Sequence, residues 1–195
     1  MPERWIVLLR GLNVGRANRV SMAELRDAFA EAGLPGARTY LQSGNAVVNA
    51  PNGTSADEAA APIAAAVAAR AGVRVSVHVL DSGALQRAVD GNPFPEAEAR
   101  PTGLHLFFLA ASPRADATRR LAEVASPTEA FAVRGELLYL HAPDGIGRSR
   151  LAASVERLLG VTATARNWRT VTRLSTLAAE DAGPHRETGG VSRAR

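Results

Sequence analysis

The sequence predicts an α+β protein built of two βαββαβ halves, joined by a short helix and a Pro-rich connector and closed by a C-terminal helix. Two observations carry this. Short β-compatible apolar runs alternate with capped helical stretches in the same order twice, and one further amphipathic stretch follows the second series. Only the order of elements repeats; no residue-level repeat accompanies it.

The first half begins with Arg4 to Leu9, a short apolar run with β character. Ser21-Met22-Ala23-Glu24 then has the capping-box form, and Met22, Leu25 and Phe29 recur at helical spacing until Gly33. Ala37 to Gln42 and Ala46 to Ala50 flank Ser43-Gly44-Asn45, a turn-rich triplet of the hairpin kind. Ser55 to Glu58 is a second capping box, opening an Ala-rich helix with Ile63 and Val67 four apart and a stop at Gly72. Val73, Val75, Val77 and Val79 alternate with Arg74, Ser76 and His78, the pattern of a half-buried strand.

After a short helix at Ser82 to Asp90 and a proline-rich connector to Pro101, the order repeats. Leu104 to Ala110 is a strand, and Ser112-Pro113 offers an N-cap and a first-turn proline for a helix through Leu121 and Val124. Phe131 to Arg134 and Glu136 to His141 form a hairpin about Gly135. Ser149 to Leu159 is a helix with Leu151, Val155, Leu158 and Leu159 on one face, and Val161 to Ala165 is the closing strand. Asn167 caps a last helix striped by Val171, Leu174, Leu177 and Ala178. The expected divisions are 1–81 for the first half, 82–102 for the connector, 103–181 for the second half with its C-terminal helix, and 182–195 for a mobile tail.

Each half is the split or ferredoxin-like βαββαβ motif. In that topology the third strand lies between the first two, so the loop after strand 1 and the hairpin joining strands 2 and 3 share one end of the sheet. Arg10 to Gly15 and Gln42 to Asn45 are therefore expected neighbours. Strand 1 is apolar on both alternating sets, Trp5-Val7-Leu9 and Ile6-Leu8, and Leu104 to Leu109 is nearly so. One set meets helices and the other needs a partner, the nearest being the other half of the chain, with a homodimer as the alternative.

Several motifs extend this reading. Leu9-Arg10-Gly11-x-Asn13-Val14-Gly15, Val20-x-Met22-x-x-Leu25, Thr39-x-x-Gln42-Ser43-Gly44-Asn45, Asn92-Pro93-Phe94 and Thr164-x-Arg166-Asn167-Trp168-x-Thr170-Val171 jointly resemble a bacterial family, domain-of-unknown-function family 1697. The chain has Arg19 and Arg150 where that family often has Lys, and Ser21 where it has Pro. The resemblance implies two ferredoxin-like halves and brings no established activity.

Composition excludes much chemistry. There is no cysteine, and all 23 basic residues are arginine, which removes disulfides, thiolates, Schiff-base lysines and the P-loop lysine. A metal site is not expected: His141 and Asp144 have H-x-x-D form, but two residues do not make one. Neither Ser43 nor Ser149 sits in G-x-S-x-G. His105 alternates with Phe107 and Leu109 and is expected to be packed. No cofactor is named by any motif. No run reaches the roughly 18 apolar residues of a membrane span, and Met1 to Leu12 lacks a leader pattern, so a cytoplasmic, non-membrane protein is expected. The net charge is only +4, half of it in Ala182 to Arg195, and aromatics make up 5%. Nucleic-acid binding is therefore not expected beyond weak, nonspecific arginine–phosphate contacts.

What remains is an anionic or polar small ligand in a cleft at the end of the first-half sheet. Arg10 and Arg166 would supply charge, and Asn13, Asn45 and Asn167 directional bonds. Gly11, Gly15 and Gly44 would give backbone access, with Ser43 in the hairpin and Trp168 at the junction. Were it an enzyme, such a site favours electrostatic stabilisation of an oxyanion or phosphoryl group over covalent catalysis. In the competing reading Gly11 and Gly15 only allow tight connections, both arginines pair with carboxylates, and the chain is a noncatalytic interaction or oligomerisation module.

Overall fold

Residues 3–13 and 19–180 are described by a computed structural model. Gly15 and the expected tail, Ala182 to Arg195, lie outside the described residues. The first half comprises β1 (Arg4–Arg10), α1 (Met22–Glu31), β2 (Arg38–Tyr40), β3 (Asn45–Asn49), α2 (Ala56–Ala71) and β4 (Ser76–Asp81). Both capping boxes form: Ser21 and Ser55 accept the backbone N–H groups of Glu24 and Glu58, whose carboxylates accept from the capping residues in return. These bonds hold both glutamates below the usual carboxylate range.

The Asp81 carboxylate accepts from the N–H of Ala84 and so starts α3 (Ser82–Asp90) directly from β4. Two short 3-10 turns, Pro95–Ala99 and Pro101–Gly103, form the connector. The second half follows as β5 (Leu104–Leu109), α4 (Ala117–Ala122), β6 (Ala130–Arg134), β7 (Leu137–His141), α5 (Arg150–Leu159), β8 (Ala163–Asn167) and α6 (Trp168–Ala179). Three elements differ from the sequence reading. β4 opens at Ser76 and not at Val73, because β1 ends at Arg10, opposite Ser76, and the residues before Ser76 have no part of β1 to pair with. α4 starts five residues after Ser112, at Ala117, because only Ala117 and Leu121 reach the core and no earlier turn has an apolar face to bury. β8 is displaced towards the C-terminus: its register with β5 sets Arg166 opposite Leu106 and Asn167 opposite His105. Arg166 is thus a strand residue and not part of a helix start.

Each half forms a four-stranded antiparallel sheet, ordered β2-β3-β1-β4 and β6-β7-β5-β8. The central position of β1 and β5 explains their two apolar faces. Trp5, Val7 and Leu9 pack on α1 and α2 with Leu25, Phe29 and Ile63. Phe107 and Leu109 pack on α4 and α5 with Leu121, Leu151 and Val155. The remaining faces share a middle core, where Ile6, Leu8, Leu106 and Phe108 meet Leu85 of α3 and Trp168, Val171 and Leu174 of α6. The apolar faces that needed a partner find it within the chain.

α6 is held in that middle layer by the first half. Its last turn has no basic residue, yet its terminal carbonyls need donors and its dipole favours cations there. Arg4 of β1 donates to the carbonyls of Ala178 (2.8 Å) and Glu180, and Arg38 of β2 to that of Leu177 (3.2 Å). Arg38 also pairs with the Glu180 carboxylate at 2.6 Å, which lowers that carboxyl's pKa.

Candidate functional site

The end of β1 and the β2–β3 turn meet as the topology requires. Leu9 donates its N–H to the Gly44 carbonyl at 2.7 Å. Gly44 has φ 76°, and a Cβ there would lie 2.9 Å from the Leu9 Cβ, so glycine is needed both for its backbone angle and for the close approach.

Arg166 reaches this junction from β8. Its Nη2 donates to the Leu9 carbonyl (2.8 Å) and, at 3.4 Å, to those of Ser43 and Gly44. Nη1 donates to the Ala165 carbonyl (2.9 Å) and Nε to the Asn45 side-chain oxygen. Burial pushes the guanidinium down to about 10, so it stays charged at neutral pH. Among the described residues no carboxylate pairs with it; its partners are carbonyl and amide oxygens, which bind the protons without cancelling the charge. Arg10 differs. Its Nη2 pairs with Glu156 at 2.6 Å, and the other Glu156 oxygen accepts the Ala163 N–H at 2.7 Å.

Beside these groups lies a cavity of about 520 Å³ between the two halves. The first half lines it with Leu9 to Leu12 and Ser43, the second with His105, Ile146, Ala163 to Asn167, and Thr170. Of the sequence-derived candidates, Arg10, Gly11, Ser43, Arg166 and Asn167 border this one space. Gly44 and Asn45 lie buried beneath it, and Trp168 is turned into the middle core. Asn13 stands elsewhere, lining a separate hollow with Ser21 and Gln42.

The three asparagines are engaged within the chain. At φ 56°, Asn13 uses its side chain as a strand would: it accepts from the Val20 N–H (2.8 Å) and donates to the carbonyls of Val20 (2.9 Å) and Gln42 (2.7 Å). Asn45, wholly buried, donates to the Tyr40 carbonyl at 2.9 Å and to Ser43 Oγ at 3.0 Å. Asn167 caps α6 by accepting from the Arg169 N–H and donates to the Pro101 carbonyl at 2.9 Å. Their role here is to hold the two loops and the junction in place.

His105, Ile146 and Glu156 carry no motif that singles them out in the sequence. His105 is only 7% exposed, yet it borders the cavity, and its Nδ1 has no hydrogen-bond partner among the described residues. Burial lowers its pKa, the nearby Gly103 carbonyl opposing this more weakly, so the ring is neutral near pH 7. Glu156 pairs with a residue 146 positions away, a contact no local pattern encodes. Among the described residues no three His, Asp or Glu side chains gather to hold a metal ion, and no helix is long and apolar enough to cross a membrane.

The family model described as protein of unknown function DUF1697 matches residues 2–139. That span includes β1 to β7 up to Tyr139 and stops before β8 and α6, so the residues around Arg166 lie beyond it. The solved structure of a conserved bacterial protein, SP0830 from Streptococcus pneumoniae, is similar in fold, with a TM-score of 0.66 at 20% identity over 91% of this chain and 99% of that one. No curated protein matches the chain.

Proposed function

The chain belongs to the DUF1697 family, whose function is unknown, and we propose that it binds a small anionic ligand in the cleft between its halves. The observation that carries this reading is Arg166, a half-buried guanidinium that among the described residues has no carboxylate partner and borders a cavity lined by no acidic side chain. A desolvated charge held only by neutral oxygens is costly, and an incoming anion offsets that cost. The cavity's size is that of small-molecule sites in general. Arg10, already paired with Glu156, marks the rim and is not the principal anchor.

A second reading is favoured by the same bonds. Since most Arg166 donors are turned to carbonyls of the other half, the residue also suits a strut in a noncatalytic interaction module. Nucleic-acid binding through a sheet face draws no support, because α3, α6 and the opposing sheet cover the faces that would stack bases.

Thermal unfolding of wild type and Arg166→Gln against a panel of small carboxylates, phosphate and sugar phosphates separates the first two. A ligand site predicts that at least one anion raises the wild-type Tm with concentration and leaves the variant unmoved. A wild type indifferent to every anion, with a variant several kcal/mol less stable, would establish the strut.

A further inference from the structure

The charge and lining of this cleft narrow the ligand class, an inference that rests on reading the cleft as a binding site. We propose that it takes a monocarboxylate with an apolar body, the carboxylate directed to Arg166 and the body lying against Ile146, Ala163 and Ala165.

Charge sets the valence. Two arginines border the cavity, but Glu156 neutralises Arg10 through a 2.6 Å pair, and His105 is uncharged near pH 7. Among the described residues one positive charge is left. A single carboxylate matches it, whereas a phosphate dianion or a polyphosphate brings excess negative charge into a partly desolvated space, with no further cation among the described residues lining it.

Geometry sets the contact. Nε and Nη2 of Arg166 are occupied by Asn45 and by three carbonyls, and one Nη1 proton by Ala165. The fork therefore has no bidentate face to present to either a carboxylate or a phosphate; it keeps one Nη1 proton for one acceptor oxygen, and the choice between the two rests on charge. Ser43 and Thr170 also border the cavity; the Ser43 hydroxyl accepts from Asn45 and keeps its own proton to donate to the second carboxylate oxygen. Most of the exposed lining is carbon, which suits a branched-chain or aromatic residue of the ligand better than a polyhydroxylated one.

The test is titration calorimetry of the whole protein near pH 7 with phenylacetate, 4-methylpentanoate, phenylacetamide and inorganic phosphate. The two carboxylates are expected to bind at least about tenfold more tightly than the amide and the phosphate. Ile146→Trp fills the apolar side while leaving every Arg166 bond intact, and should abolish binding with the Tm of the free protein kept. Because Arg166→Gln can loosen the halves, this second variant makes the result decisive. Equal binding of amide and carboxylate overturns the charge argument. Tighter phosphate binding overturns the monocarboxylate class while leaving the anion cleft standing, and binding of none of the four, nor of any anion in the thermal panel, overturns both.

Discussion

Among single residues, Gly44 shows most directly how the two predicted loops become one structure. Its left-handed φ ends the β2–β3 turn, and the missing side chain lets the turn rest on Leu9, whose carbonyl Arg166 also holds. Gly44→Ala adds an unfavourable backbone angle, costing on the order of 1–3 kcal/mol, and a Cβ 2.9 Å from that of Leu9. Urea unfolding should show a loss of at least that size; an unchanged midpoint would mean that the turn moves freely from β1. That these loops meet was legible in the sequence, because βαββαβ connectivity alone fixes which ends adjoin. The partners of the two arginines were not. Arg10 and Arg166 look alike in composition, and they differ because Glu156, 146 positions from Arg10, takes one and backbone carbonyls take the other. The asparagines show the same boundary: amides near glycine turns suit a ligand and an internal brace equally well, and the bonds they make to Val20, Gln42 and Pro101 are not encoded in any local pattern.

Elements were most legible where their signals are local. Capping boxes, the glycine stops after α2 and α5, and period-two alternation act within a few residues, so α1, α2, α5 and most strands fall where expected. α4, β4 and β8 shifted because packing and cross-strand register set their limits. The strands also carry one histidine into a half-buried position and one into a buried position. His78 of β4 lies against Phe108 of β5 with ring centroids 5.7 Å apart, and His105 of β5 borders the cleft. Burial lowers both pKa values; for His78, Glu136 and Asp57 pull weakly upward and Arg166 adds weakly to the lowering. The unfolded chain therefore protonates first as pH falls below the ordinary histidine value of 6.5. Stability fully present above that value should be lost as pH descends towards the folded pKa values. Between about pH 6.5 and 5 most carboxylates remain ionised, so the window isolates the histidines. The urea midpoint should fall from pH 7.5 to 5.5, and by less in His78→Phe and His105→Gln; a flat wild-type profile would refute this.

At the scale of the molecule, the shared middle core decides whether either half is a domain in its own right. Ile6, Leu8 and Val47 face that core from the first sheet, and their cover comes from α3, α6 and the second sheet. A fragment of residues 1–81 retains α1, α2 and all four strands of its sheet, so its local signals are intact. It nevertheless exposes those three side chains, forfeiting roughly 5–9 kcal/mol at about 1.5–3 kcal/mol each, against a net stability of about 5–15 kcal/mol for a typical domain. It also loses the α6 carbonyls that Arg4 binds, leaving the guanidinium of a residue only 9% exposed in the intact chain to find water. The fragment is therefore expected to associate through the uncovered sheet face, seen as concentration-dependent mass in sedimentation, while the intact chain unfolds in one cooperative transition by both tryptophan fluorescence and circular dichroism. Trp5 reports the first helical core and Trp168 the middle one, while circular dichroism also follows the helices of the third. Two separated transitions in the intact chain, or a stable monomeric fragment, would show that the middle layer is a docking surface between independent domains and not the core that makes them one.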